Sequence, residues 1–307
     1  MRRAGTPAAV RSACPVPRRP SGFPKARAGG DRPRVVAAAV LVGALLAGTV
    51  GACGSARPDG AVRPVAVPTG QSSVPLLRTQ VRESLPHDPG AFTQGLEFRG
   101  STLYESTGLV GRSSLRAGPA GKPPTVRADL PAPLFGEGIT LAGSRLWQLT
   151  WRNGIAIERD PGTLAERRRV AYRGEGWGLC HRRTAGRGQL VMSDGTGRLT
   201  FRDPDTFDVT GGVDVRQDGR PATLLNELEC APDGFVYANV LGTDTILRIQ
   251  PRTGDVTGRI DAGGLLTSSQ RRTARALNGI AAVPGTSSFL ITGKFWPRMF
   301  RVTFVPA

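Results

Sequence analysis

Apolar and polar residues alternate along most of the chain beyond residue 75, a pattern typical of β-strands rather than of helices. Two stretches show it most plainly: "LYESTGLVGRSSLR" at residues 103–116 and "LWQLTWRNGIAIER" at residues 146–159. Each begins with an apolar residue and an aromatic, passes through a polar residue and a threonine, turns, and starts a second alternating run. The copies lie about 43 residues apart, which indicates a repeated structural unit.

This unit occurs five times. The first strands of the copies begin at Thr93, Glu137, Gly176, Asn226 and Asn278. The second strands follow at intervals of about 43, 44, 46 and 53 residues, beginning at Leu103, Leu146, Leu190, Val236 and Phe289. Three of the third strands run into turns such as "RDPGTL" and "RDPDTF", with Pro and Gly or Asp where a tight turn needs them. The spacing is typical of propeller blades, so the sequence predicts an all-β, five-bladed β-propeller over residues 76–307.

The ends of the chain complete the predicted fold. Each of the first four units is followed by an outer alternating run, but the fifth has none after "FRVTF" at residues 300–304. The run "LLRTQVRESL" at residues 76–85 precedes the first unit and supplies the missing strand. Pairing the N- and C-terminal strands would close the last blade and leave no long unpaired edge on it.

The N-terminal region has the pattern of a processed leader. Residues 35–50 are uncharged and apolar, follow the basic "RPR" at residues 32–34, and are too few for a membrane span. The following "VGAC" resembles a bacterial lipoprotein signal, which predicts a signal region at residues 1–52 and a lipid-modified Cys53. Residues 53–75 are predicted to form a flexible Pro/Gly/Ser-rich tether. We therefore expect export with a lipid anchor on the outer face of the cell membrane; an ordinary secretory signal is the alternative.

Charge and cysteine content narrow the function classes. The formal charge is +17, but nine of the 41 basic residues lie before residue 35 and the remaining arginines are dispersed, so no nucleic-acid partner is expected. With Cys14 in the leader and Cys53 lipidated, Cys180 and Cys230 remain, and export predicts a disulfide between them. Two histidines in the whole chain argue against a His-rich catalytic zinc site. We expect a monomer.

Propeller geometry brings equivalent loops together at one mouth of the central channel. The loops and second strands would gather carboxylates, amides, indoles and one lysine there, the composition of a small-molecule site. Each residue also has a structural alternative, since tryptophans pack between blades and Glu or Asn side chains cap turns. Glu97 alternates away from this mouth on its strand, so we expect it to tolerate substitution.

Several segments carry a family resemblance: "HDPGAFTQGLEF", "FGEGIT", "LWQLTWR", "GEGWGLC", "MSDGTGRLTFRDPDTF", "LNELE" and "TGKFWP". Together they resemble the plant-type glutaminyl cyclase family over residues 86–302. The resemblance implies a five-bladed propeller and cyclisation of the N-terminal glutamine of peptides or proteins to pyroglutamate, with release of ammonia. Because the two histidines lie far apart in sequence, we expect no cofactor to be required for catalysis; a structural metal ion on the propeller axis is left open.

The resemblance also implies residue roles. Glu137 matches the family's general acid/base and Lys294 an active-site lysine that would stabilise the oxyanion. The substrate-binding residues it implies are Phe92, Gln94, Trp151, Trp177 and Asn226. The sequence departs from the family at Leu241, where a pocket tryptophan is usual. That departure keeps open a non-enzymatic, surface-anchored propeller that binds a ligand or partner, and more remotely a hydrolase with paired carboxylates.

Overall fold

The structure is a computed structural model that describes residues 74–184, 186 and 188–307. The predicted signal region, Cys53 and nearly all of the predicted tether lie outside the described residues. The regular secondary structure of the described chain is almost entirely β-strand, which confirms the all-β prediction. Within it, no helix has the length and apolar character needed to cross a membrane.

The strands follow one another in antiparallel sets. After β1 (Leu76–Pro86), the first set comprises β2 (Thr93–Arg99), β3 (Thr102–Thr107), β4 (Ser114–Pro119) and β5 (Val126–Asp129). The second set comprises β6 (Gly136–Ala142), β7 (Arg145–Thr150), β8 (Ile155–Arg159) and β9 (Glu166–Ala171). The third set comprises β10 (Leu179–Arg182), β11 (Gln189–Met192), β12 (Arg198–Arg202) and β13 (Val209–Asp214). A small hairpin, β14 (Arg216–Gln217) and β15 (Arg220–Pro221), follows.

The remaining strands form one larger sheet. It contains β16 (Leu225–Cys230), β17 (Val236–Val240), β18 (Thr245–Ile249), β19 (Val256–Asp261), β20 (Leu277–Ala282), β21 (Phe289–Gly293) and β22 (Arg298–Pro306). The short helix α1 (Ser268–Arg271) lies between β19 and β20. Strand order in the sheet is β16-β17-β18-β19-β1-β22-β21-β20, and β1 joins β19 by only three parallel residue pairs.

Strand β1 pairs with the C-terminal strand, as the sequence predicted. Nine antiparallel residue pairs run from Leu77 with Pro306 to Pro86 with Arg298. The Arg298 guanidinium adds hydrogen bonds to the carbonyl and hydroxyl oxygens of Ser84, at 2.8 and 2.9 Å. Backbone hydrogen bonds with β1 therefore cover the edge of β22 along this length.

A buried arginine recurs in the first three sets with a different partner each time. Arg116 donates to Glu105 at 3.0 Å, and Arg159 donates to Gln148 at 2.9 Å. In the third set Arg202 approaches the Met192 sulfur at 3.1 Å. Thus Glu105 and Gln148, which occupy the same place in the repeat, both serve as acceptors for an arginine from the same sheet.

Two of these arginines also fix the predicted turns. In "RDPGTL", Arg159 donates to the Leu164 carbonyl at 3.0 Å, and Arg202 does the same to Phe207 in "RDPDTF". Leu164 and Phe207 have positive φ angles of 60° and 68° and are fully buried. A charged donor on each carbonyl and burial of each side chain together offset the cost of this uncommon backbone conformation.

The disulfide prediction is confirmed: Cys180 on β10 is bonded to Cys230 on β16, 50 residues along the chain. It joins the third set to the next one. Around it, Val191, Leu225 and Leu228 form part of a buried apolar cluster drawn from both sets. Similar clusters fill the other spaces between neighbouring sets, so the core is distributed rather than central.

We predict that replacing both Cys180 and Cys230 with Ala lowers the free energy of unfolding by about 2–4 kcal/mol, because the bridge restricts a loop of this length in the unfolded chain. Urea unfolding of the oxidised parent and of the double variant measures the difference. The parent measured in a reducing agent is the matched control and should approach the variant. Equal stability of oxidised parent and variant would contradict the prediction.

Candidate active site

The site is built where the inner strands of the sets begin. Four of these strands have an irregular register at the same point: between Thr93 and Gly95, Gly136 and Ile139, Leu225 and Leu228, and Leu277 and Ile280. The residues at these irregularities are Gln94, Glu137, Asn226 and Asn278. A β-bulge turns a side chain out of the usual alternation, so each strand directs a polar group inward at its start. All four side chains are buried.

Close packing of the inner strands requires glycine after two of these polar residues, Gln94 and Glu137. A Cβ on Gly95 would lie 2.7 Å from the backbone nitrogen of Ile139, and one on Gly138 would lie 2.6 Å from that of Leu179. Such distances are too short for any side chain. In the motif of a polar residue followed by glycine, the polar residue therefore faces the site and the glycine lets the adjacent strand approach.

A hydrogen-bonded chain orients the predicted acid/base. Asn278 donates from Nδ2 to Gln94 Oε1 at 3.0 Å, and Gln94 donates from Nε2 to Glu137 Oε1 at 2.9 Å. The Asn278 bond fixes the orientation of the Gln94 amide, so that its N–H group faces Glu137. Both ends of the Gln94 side chain are therefore engaged within the protein.

Glu137 is held in an environment that favours its protonated form. Burial raises the pKa of Glu137 well above its usual range; Lys294 acts against this effect and the negative charge of Glu175 adds to it. Burial also lowers the pKa of Lys294, while Glu137 acts in the opposite sense. Lys294 is on the turn between β21 and β22, and its ammonium lies 4.9 Å from the centre of the Phe92 ring.

Aromatic rings surround these groups. The Phe92 ring is 6.1 Å from Phe135 and 5.2 Å from Phe295, and Phe135 is 5.5 Å from Trp151. Trp177 packs against Gly195, where a Cβ would meet the indole ring. The rings form an apolar wall of the kind that excludes water from a reactive site.

Glu175 connects the two tryptophans of this wall. Its Oε2 atom accepts hydrogen bonds from the Trp151 and Trp177 indole N–H groups at 2.7 and 3.0 Å, and its Oε1 atom accepts from Arg152 at 2.8 Å. The family resemblance assigned no role to Glu175. Its position between two tryptophans, in "WRNGI" and "GEGW", was the only signal available.

Asn226 and Leu241 lie farther along the same mouth. Asn226 is buried, and its carbonyl accepts a hydrogen bond from Ser193 at 2.6 Å. The Leu241 backbone donates to the Leu224 carbonyl at 2.9 Å, and Leu224 is 43% exposed. The departure at Leu241 thus lies beside an apolar side chain that is open to solvent.

A buried ionic cluster lies behind the site. Glu105 accepts hydrogen bonds from Thr93 at 2.7 Å and Arg116 at 3.0 Å, and the His87 Nε2 atom lies 3.0 Å from it. Arg116 also donates to Asp88 at 2.8 Å. Burial alone would raise the pKa of Glu105, but His87 and Arg116 outweigh it and hold that pKa at about 2.

This cluster supports the turn that carries Lys294. The His87 Nδ1 atom lies 2.7 Å from the Trp296 carbonyl oxygen, and the His87 backbone donates to Pro297 at 3.0 Å. On the same turn, Phe295 donates to the Ala91 carbonyl at 2.7 Å and has a positive φ of 59°. The segment before β2 therefore holds the lysine turn in place.

Glu97 has closer contacts than the sequence suggested. Its Oε2 atom accepts a hydrogen bond from the Leu141 backbone of the neighbouring inner strand at 2.8 Å, and burial raises its pKa to about 7. The expectation that Glu97 tolerates substitution rested on an outward-facing side chain. Because the carboxylate instead joins β2 to β6, replacing it would disturb the packing of two sets.

The structure therefore brings Gln94 into contact with Glu137, Lys294 near Phe92, and Trp151 and Trp177 together through Glu175. Within residues 74–184, 186 and 188–307, no group of three or more His, Cys, Asp or Glu side chains is arranged to hold a metal ion.

Comparison with known proteins identifies the family of the chain. The family model described as glutamine cyclotransferase matches residues 53–304. The chain belongs to the glutamine cyclotransferase family. It is 39% identical to a glutaminyl-peptide cyclotransferase of Arabidopsis thaliana over 230 residues, which is 73% of this chain and 70% of the relative. It is 38% identical to the crystal structure of Myxococcus xanthus glutaminyl cyclase, with a TM-score of 0.68 over 76% of this chain and 99% of that one.

We predict that Glu105→Gln destabilises the protein in a pH-dependent way. The pKa of Glu105 is lowered on folding, so its ionised form contributes stability above its ordinary pKa of 4.5, and the contribution is lost as pH falls towards 2. The ionised carboxylate is expected to contribute about 3 kcal/mol to the free energy of unfolding at pH 7. Urea unfolding of parent and variant at pH 7 and pH 3 should show that the difference between their free energies of unfolding is smaller at the lower pH. Glu83→Gln, at an exposed site on β1, is the control. A gap of constant size would contradict the assignment.

Proposed function

We propose that the protein is a glutaminyl-peptide cyclotransferase that converts the N-terminal glutamine of peptides or proteins to pyroglutamate and releases ammonia. The observation that carries the proposal is a buried Glu137 whose Oε1 atom accepts a hydrogen bond from Gln94, near enough to the buried Lys294 for their charges to interact. Membership of the family supports it.

The reaction joins two groups of one residue. The substrate α-amine attacks the γ-carboxamide carbon, a tetrahedral intermediate forms, and the carbon–nitrogen bond to the amide nitrogen breaks. One proton must pass from the attacking nitrogen to the leaving one, so that a lactam and ammonia result. The α-amine has a pKa near 8, so a substantial part of it is unprotonated at pH 7–8, and departure of ammonia is the step that needs a proton most.

Glu137 is suited to move that proton. Its raised pKa favours the acid form, and a carboxylate left after donation accepts the proton of the attacking amine. Gln94 donates to Oε1, which leaves Oε2 to carry the transferred proton. In this proposal Gln94 acts mainly by orienting Glu137, which is a narrower role than direct binding of the substrate amide.

Lys294 and the surrounding rings complete the site. The ammonium would stabilise the negative charge that develops on the amide oxygen, an interaction that gains strength in a buried site. Phe92, Trp151 and Trp177 would hold the glutamine methylenes and exclude water, and Asn226 would bind a polar atom of the substrate. Holding the side chain folded back towards its own amine supplies the orientation that the reaction needs. No step in this scheme uses a metal or a cofactor.

We further infer a five-bladed β-propeller for the fold. Three separate four-stranded sets support it, and the larger sheet divides at the short β1–β19 contact into β16–β19 and a set of β1 with β20–β22. Export, lipid attachment at Cys53 and a monomeric state complete the proposal. They rest on the leader sequence and the dispersed surface charge.

The function is tested by incubating the protein with a peptide that begins with glutamine and following it by mass spectrometry. Cyclisation removes the mass of one ammonia and blocks the N-terminus. Hydrolysis of the side-chain amide leaves the N-terminus free. An unchanged peptide that nevertheless binds would favour the surface-anchored binding protein, for which Leu241 is the supporting observation.

We predict that Glu137→Gln lowers kcat by roughly 10² to 10⁴, because the amide keeps the shape of the side chain but cannot carry the proton. Rates on a glutamine peptide and a thermal melt are measured together. Gln94→Glu is not a suitable control, since it places a second carboxyl in the site, whereas Glu83→Gln on β1 changes the same charge outside it. A Glu137→Gln protein that melts like the parent and cyclises at a near-parent rate would show that another residue carries the proton.

Lys294→Met tests the oxyanion assignment. The variant keeps most of the side-chain volume and removes the charge, and we predict a loss in kcat of roughly 10² or more with a smaller change in KM. Lys122→Met is the matched control, since Lys122 is exposed on the loop between β4 and β5. A larger effect on KM than on kcat would instead assign Lys294 to ground-state binding.

A further inference from the structure

Glu175 is a charged residue at the mouth that the scheme above leaves without a function. It lies in the loop between β9 and β10, and its side chain is 34% exposed. The hydrogen bond from Trp177 is the largest of the effects that hold the pKa of Glu175 below its usual range, followed by those from Arg152 and Trp151. The carboxylate is therefore ionised at neutral pH.

Its contacts join parts of the chain that are otherwise separate. Trp151 lies in the loop between β7 and β8 of the second set, whereas Trp177 immediately precedes the third set. One oxygen of Glu175 accepts from both indole N–H groups. An indole nitrogen can only donate, so the two indole nitrogens cannot bond to each other; a shared carboxylate oxygen links them, and it has enough lone pairs for both bonds.

Arg152 completes the arrangement from the solvent side. Its Nε atom donates to the other carboxylate oxygen, and its guanidinium lies 4.0 Å from the centre of the Trp151 ring. Arg152 thus contacts the carboxylate and one of the rings that the carboxylate holds. The Arg152 side chain is 65% exposed, so its own ion pair adds little stability.

Glu175 also acts on Glu137 through its charge. The ionisable groups that act on Glu137 are Lys294 on the β21–β22 turn and Glu175. Lys294 favours the carboxylate form of Glu137. Glu175 carries the negative charge that opposes Lys294, and a negative neighbour favours the protonated form.

We propose that Glu175 is a positioning residue for the cyclisation: its carboxylate, through hydrogen bonds to both indole N–H groups, aims the Trp151 and Trp177 rings at the substrate glutamine. The proposal rests on the proposed function for its kinetic consequences. The hydrogen bonds to the two indoles do not depend on it.

Two substitutions separate charge from geometry. Glu175→Gln retains the length of the side chain but loses the charge and one of two acceptor oxygens. Glu175→Asp retains the charge but is one methylene too short to reach both indoles. Glu166→Gln on the outer strand β9 is the matched control. Glu166 pairs with Arg169 at the surface, and its replacement by Gln removes the same charge as Glu175→Gln.

The first measurement is the pH dependence of kcat/KM on a glutamine peptide. The part of the pH profile that reports ionisation of Glu137 should move to lower pH by about half a unit in Glu175→Gln, because a negative neighbour has been removed. In Glu175→Asp and Glu166→Gln that part of the profile should not move. Both Glu175 variants should show a KM roughly tenfold higher, the effect of losing one charged hydrogen bond in the binding wall. Glu166→Gln should leave KM unchanged.

The second measurement is quenching of tryptophan fluorescence by acrylamide, which requires no turnover. Two of the four tryptophans are Trp151 and Trp177, so both Glu175 variants should be quenched more strongly than parent and control. If the parent does not cyclise, the proposed function fails while the quenching result still tests the contact between Glu175 and the rings. Unchanged quenching, or a Glu175→Gln pH profile and KM equal to those of the parent, would overturn the proposal. Should Glu175→Gln fail to fold, the quenching and the KM of Glu175→Asp test the proposal in its place.

Discussion

The structure depends on the close approach of neighbouring inner strands at their starting points. Backbone atoms meet where Gly95 and Gly138 leave no room for a Cβ, and the irregular register beside each glycine turns the preceding side chain into the site. Packing and chemistry therefore share the same residues. A substitution at either glycine would displace the adjoining strand and, with it, Gln94 or Glu137.

Two buried carboxylates show how environment divides structural from chemical roles. Glu105 has an arginine, a histidine and a hydroxyl within hydrogen-bonding distance, which keeps it ionised and fixed. Glu137 is as deeply buried but is met by a neutral amide donor, so the proton is favoured on it. The same residue type thus supports a turn in one repeat and is available for proton transfer in the next.

Much of this organisation was readable in the sequence, for physical reasons. Alternation and tight-turn residues depend on neighbouring positions, so strands, repeats and the pairing of the terminal strands were predicted, and the Cys180–Cys230 bridge followed from counting cysteines. Hydrogen-bond direction depends on three-dimensional packing and was not predicted. The sequence could not show that Gln94 turns its amide towards Glu137, or that Glu97 bonds to β6. Nor could it show that Glu175 receives three donors.

The pairing of β1 with β22 also bears on how the chain folds. Its members are extremely distant in sequence, as in the contact between Arg82 and Thr303, which are 221 residues apart. Contacts of such high order form slowly, because a long loop must close before any of their free energy is gained. During synthesis β1 emerges long before β22, so the sets between them assemble beside a strand that still lacks this neighbour.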